Sequence, residues 1–147
     1  MLKSIDVANY FLSQCSEESG DLISNLKMQK LVYYAQGFHL AVYDTPLFQE
    51  EIQAWLHGPV IPVLYSHYKP YGSAAIPLPS EVDFDNYDAN TRDLLDDVYN
   101  VYGQYSAWKL RDLTHQEPPW VDAAKAGLNS VISHSSLQEY FKTQLTE

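Results

Sequence analysis

The sequence predicts a mainly α fold: one helix-dominated domain of six or seven helices, with a small two- or three-stranded sheet as a minor α+β layer. The first observation is the stretch Leu26–Tyr43, which contains no proline. Its Met28, Leu31, Ala35, Phe38 and Val42 recur at spacings of three and four, the helical period. Tyr33, Tyr34, Leu40, Ala41 and Tyr43 make its second half apolar on most of its circumference, the pattern of a helix buried in a core. As a helix it is about 27 Å long, the width of a domain of this size. The second observation is that strand-like alternation is confined to short stretches, with no strand–helix repeat. The third is that 147 residues, 46% of them hydrophobic, suffice for one core and show no linker, so residues 1–147 read as a single domain.

In chain order, Ser4 is the expected cap of a first helix reaching about Cys15, with Ile5, Ala8, Leu12 and Cys15 as its apolar stripe and Asp6 in its first turn. Glu17-Glu18-Ser19-Gly20 reads as a solvated loop. Ser24 or Asn25 caps the long helix, and Asp44-Thr45-Pro46 ends it, because proline cannot continue the hydrogen-bond ladder. Gly37 in its middle costs about 1 kcal/mol against alanine, which close approach by a neighbour would offset. The expected neighbour is the segment Trp55–Val60. Glu51–His57 alternates, with Ile52, Ala54 and Leu56 on one side and Gln53, Trp55 and His57 on the other, and Gly58-Pro59 reads as the break that ends the strand.

Pro62 opens a helix with Ile61, Leu64, Tyr65 and Tyr68 as its face, closed by Pro70-Tyr71-Gly72. Residues 73–88, with Pro77, Pro79 and four acids, read as a surface loop. A helix over about Ala89–Tyr102 turns Leu94, Leu95, Val98 and Val101 inward and stops at Gly103. Ser106 caps the next, through about Thr114, with Tyr105 and Leu110 as a hydrophobic staple. The Pro118-Pro119-Trp120 turn leads into a short helix ending near Gly127. Asn129–Ile132 reads as a second strand, and Ser135 with Gln138 as a capping box for a last helix.

The net charge of −10, with nine scattered basic residues, argues against nucleic acid and anionic membranes as direct partners and suits a basic one. One cysteine, on an apolar stripe, permits no internal disulfide and fits a cytoplasmic protein. The N-terminus has no signal-peptide pattern, and Gln36 and His39 interrupt the longest apolar stretch, so no membrane span is expected. The five histidines, His39, His57, His67, His115 and His134, include no His-Glu-x-x-His pair. Gly-x-Ser-x-Gly and phosphate-binding glycine loops are absent, and the acids of 81–88 lack the calcium-loop pattern. The expectation is no enzyme, no metal and no cofactor. A hydrolase or metal protein using His57, His115 and Glu117 is the third hypothesis, which bound metal in the purified protein would discriminate.

LVYYAQGFHL at Leu31–Leu40, Pro46-Leu47-Phe48, IQAWLHGPV at Ile52–Val60, Tyr71-Gly72 and LTHQEPPW at Leu113–Trp120, in this order and spacing, resemble the Panacea antitoxin domain family of phage-associated, GepA-like and SocA-like proteins. The resemblance covers nearly the whole chain. It implies a non-enzymatic antitoxin of a bacterial or phage toxin–antitoxin pair that neutralises its cognate toxin by direct binding. The alternative it implies is an adaptor that delivers a partner to a cytosolic ATP-dependent protease. Trp55, His57, His115 and Trp120 either line one partner-binding patch or form a polar-aromatic framework. Phe84 and Tyr87, on the acidic loop, are further partner-binding candidates. Gln36, Gly37, Gly58, Pro59, Thr114, Glu117 and Pro118 are the expected structural residues of the motif.

Overall fold

The computed structural model describes residues 1–16 and 22–145; the loop expected at 17–20 lies outside them. Among the described residues the chain is mainly α, with seven α-helices and one small antiparallel sheet. The helices are α1 (Ser4–Ser13), α2 (Asn25–Tyr43), α3 (Pro62–Tyr68), α4 (Ala89–Tyr102), α5 (Ala107–Thr114), α6 (Pro118–Lys125) and α7 (His134–Lys142). The strands are β1 (Ile52–Trp55), β2 (Gly58–Val60) and β3 (Ser130–Ile132).

Helix α2 is the centre of the packing, and α1, α3, α4, α5, α7 and β2 all lie against it. Its first turn is capped by the Ser24 hydroxyl, which accepts from the Lys27 N–H at 3.3 Å. It ends in Asp44, left-handed at φ 60°, whose N–H returns to the Leu40 carbonyl. Buried Met28, Leu31, Val32, Tyr33, Tyr34, Ala35 and Leu40 face inward on nearly every side, whereas Val42 is exposed. Gln36, fully buried, donates to the Phe48 carbonyl (2.8 Å) and accepts from the Leu47 N–H (2.7 Å). The amide therefore satisfies the backbone that follows the helix, as a buried polar group must.

Several expectations need correction. The close neighbour of Gly37 is Phe141 on α7: a Cβ at Gly37 would stand 2.2 Å from the ring. It is the N-terminal half of α2, through Gln29 and Lys30, that meets the Trp55–Val60 region. Gly58-Pro59 does not end the sheet. Leu56 and His57 form the turn of a hairpin, and β2 returns along β1 with Trp55 opposite Gly58 and Gln53 opposite Val60. The proline is tolerated because the strand order β2-β1-β3 leaves β2 at the edge, where one row of N–H groups has no strand partner. Gly58, at φ +110°, takes a conformation that a side chain would strain.

Helix α1 is capped by Lys3, whose N–H donates to Asp6 at 2.9 Å, while the N–H of Ser4 goes to Glu50 (2.9 Å) and its hydroxyl also bonds that carboxylate. Helix α1 ends at Ser13, two residues before Cys15. Helix α7 is capped by Ser133 rather than Ser135, and Gln138 reaches the Leu40 carbonyl and Asp44 instead of closing a capping box. Val101 points outward.

Candidate partner-binding surface

The sequence LTHQEPPW becomes the last turn of α5, a tight turn, and the first turn of α6, which opens on Pro118 and Pro119 where missing N–H groups cost nothing. That turn lies against the β1–β2 hairpin. The His115 ring is held at both ends, Nδ1 2.7 Å from the Arg111 carbonyl oxygen and Nε2 2.8 Å from that of Leu56. Trp120 covers its face at 4.0 Å between centroids, and donates its indole N–H to the Trp55 carbonyl at 2.9 Å. Trp55 packs on Tyr65 and donates to Gln53. Thr114 is buried, with its hydroxyl on the Arg111 carbonyl and close to Gly58.

On the inner side of the same turn, the Glu117 carboxylate receives two phenols, Tyr33 on Oε1 and Tyr34 on Oε2, each at 2.8 Å. Burial pushes this carboxyl up to about 7, against the opposing pull of the two hydroxyl donors. The same desolvation, with the carboxylate beside them, raises both tyrosines well above their ordinary range. Tyr34 in turn stacks on Tyr102 at 3.8 Å and 7°. Beneath the hairpin, Lys30 is wholly buried with its ammonium on the Pro59 carbonyl at 3.1 Å. Burial, aided by the Arg111 charge, lowers it from 10.5 to about 7.

Above this framework the surface is apolar and aromatic. Leu56, at the hairpin tip, is 61% exposed, and Trp108, on the outward side of α5, is 56% exposed. Exposed His57 sits between them, its ring 5.7 Å from that of Trp108. Arg111 joins His57 and Trp108: its Nε donates to His57 Nδ1 at 3.1 Å, its guanidinium lies 4.6 Å over the Trp108 ring, and it bonds Asp112. An exposed tryptophan beside a half-buried arginine is the composition of interface hot spots.

The geometry thus divides the predicted residues. His57 is on the outer surface. Trp55, His115 and Trp120 are partly buried and hold the tip in place. Phe84 is exposed beside Tyr10, at 6.0 Å, remote in sequence from this patch. Tyr87, expected as contact surface, is only 4% exposed and donates its hydroxyl to the Asp6 carbonyl, anchoring its loop onto α1. Leu56, Trp108 and Arg111 were missed. The available signal was that Trp108 lies off the Leu110–Thr114 face of α5, where a tryptophan has no core to enter. His57 accepts from the Arg111 side chain, His115 is held by the Arg111 and Leu56 carbonyls, and Glu117 accepts from Tyr33 and Tyr34 on the inner side of the turn.

The family model described as "Antitoxin SocA-like, Panacea domain" matches residues 28–121, which hold most of α2, the hairpin and the His115 turn. Antitoxin SocA of Caulobacter vibrioides (strain NA1000 / CB15N) is 44% identical over 50 residues. That stretch is 34% of this chain and 27% of the relative, so the aligned part spans about a quarter of the relative's length. No solved structure matches. No helix among the described residues is long and apolar enough to cross a membrane.

Proposed function

This chain belongs to the family of SocA-like Panacea domains, and on that premise we propose that it is a non-enzymatic antitoxin that neutralises a cognate toxin by direct binding in the cytoplasm. The observation that carries the reading is the surface of exposed Leu56, His57 and Trp108 with half-buried Arg111, built on the hairpin that bears part of the family's motif and on the helix α5 that leads into its turn. The hairpin backbone beneath it is held by His115 and Trp120, and Arg111 bridges the His57 and Trp108 rings, so less ordering is left to binding. The net charge of −10 steers a toxin with a basic surface toward it and raises the association rate at low salt.

The test is co-expression with the adjacent reading frame. That neighbour alone should arrest growth, and this chain should relieve the arrest. Trp108→Ala should weaken the purified complex roughly 30-fold or more, the loss of about 2 kcal/mol typical of a hot spot, while its thermal midpoint stays unchanged. A harmless neighbour, or full affinity in Trp108→Ala, overturns the proposal. Toxin half-life separates two modes of neutralisation. An unchanged half-life is masking; a shortened one is delivery to an ATP-dependent protease.

A further inference from the structure

A second unpartnered surface lies away from the hairpin. The C-terminal half of α2, the outer side of α4 and the turn after α7 enclose a groove of about 440 Å³. Its walls are Phe38 and Val42 from α2, Leu94, Val98 and Val101 from α4, and Leu145. Three of these are large apolar residues left open to water: Val42 at 45%, Val101 at 49% and Leu145 at 41%. Such a cluster marks a contact site more often than scattered single residues do. Leu94 and Val101 stand two helical turns apart, about 10.5 Å. A docked helix with apolar residues at i, i+3 or i+4, and i+7 spans that same distance.

The charge at the rim chooses the occupant. Asp97 lines the groove, and exposed Asp93 lies one turn before it on the same row of α4. Like charges four apart on a helix repel, and among the described residues neither aspartate has an ion pair. The nearby bases are committed elsewhere: Lys142 to Asp44 at 3.1 Å, and Arg92 to the carbonyls of Tyr87 and Phe84. The free chain therefore presents an apolar trough beside two aspartates that have no ion pair among the described residues. We propose that this groove docks an amphipathic helix of a protein partner, with its apolar face in the trough and lysine or arginine along the edge that meets Asp93 and Asp97. The inference is independent of the antitoxin reading.

The test uses two synthetic 18-residue amphipathic peptides with identical leucine faces, one with lysine and one with glutamate on the polar face. They are titrated into the full chain carrying methyl-labelled valine and leucine. The expected result is that the Leu/Lys peptide shifts the methyls of Val42, Val98, Val101 and Leu145, and that the Leu/Glu peptide does not bind. Asp93→Asn with Asp97→Asn should weaken binding about five- to tenfold. The equally discharging control Glu81→Gln with Asp85→Asn, on the loop before α4 and outside the groove's lining, should not. Val101→Glu, at an exposed position that leaves the fold intact, should abolish binding. The proposal is overturned if the Leu/Lys peptide does not bind, if the two peptides bind alike, if the shifts fall elsewhere, or if both charge pairs weaken binding equally, which is nonspecific attraction to an acidic protein.

Discussion

Replacing Lys30 by methionine tests how the hairpin is seated. The side chain is wholly buried between α2 and β2, its one hydrogen-bond partner among the described residues is the Pro59 carbonyl, and the charge acting on it is the like-signed Arg111. Burial depresses the amine from 10.5 to about 7. Between these values the unfolded chain binds more protons than the folded one, so stability rises with pH. The contribution is complete above 10.5 and is lost as pH falls through about 7. Each pH unit is worth about 1.36 kcal/mol. Because the amine is half protonated at the start, the span from pH 7 to 9 contributes about 2 kcal/mol. The assay is urea unfolding of the wild-type chain and Lys30→Met at pH 7 and at pH 9. The wild type should gain about 2 kcal/mol more than the variant over that interval, a relative midpoint shift of about 1 M at a slope near 2 kcal/mol/M. Taking the difference between the chains cancels every other titrating group, and stopping at pH 9 avoids the tyrosines. Equal changes in both chains, within about 0.5 kcal/mol, would refute the argument and mean that the amine keeps its ordinary affinity for protons.

Glu117 acts in the opposite sense. Its carboxyl is raised to about 7, so the stability it confers is full below about 4.5 and is lost as pH rises through 7. In Glu117→Gln that acid-side decline, about 2 kcal/mol after allowance for its contact with water, should vanish from pH-dependent denaturation curves. Gly37→Ala drives a Cβ into the Phe141 ring and should cost about 1–3 kcal/mol by thermal melting. Phe141→Leu in the same chain should recover part of it, and unchanged stability would mean that the ring moves freely. Trp120→Phe removes the indole bond to the Trp55 carbonyl and should lower stability by about 1 kcal/mol and loosen the hairpin in hydrogen exchange.

What the sequence disclosed is what short-range chemistry determines. Helix α2 was readable because its period, its Ser24 cap and its Pro46 stop all act within a few residues of one another. The cap of α5 follows the same logic, with the Ser106 hydroxyl accepting the N–H of Lys109 three residues on. Strand β2 was not readable, because Gly58-Pro59 is a break by local rules and a strand only because the sheet places it at an edge. The reason for Gly37 lay 104 residues away in Phe141, a distance at which no periodicity speaks. The site divided in the same way. Its framework residues stood out as a motif, but whether His115 faces outward or braces the hairpin depends on a partner 59 residues earlier in the chain. Tyr87 looked available because its neighbours are acidic and polar; its hydroxyl bond to the Asp6 carbonyl decided otherwise.

The clasp between His115 and the Leu56 carbonyl has a consequence for how the chain is made. The hairpin leaves the ribosome well before α5 and the turn that follows, and synthesis proceeds at about 5–20 residues per second. Until His115 and Trp120 emerge, nothing grips the carbonyls of Leu56 and Trp55, and Trp108 is not yet beside His57. The exposed surface is therefore assembled from two instalments, seconds apart. A message cut short before His115 yields a polypeptide that carries the tip and lacks its brace.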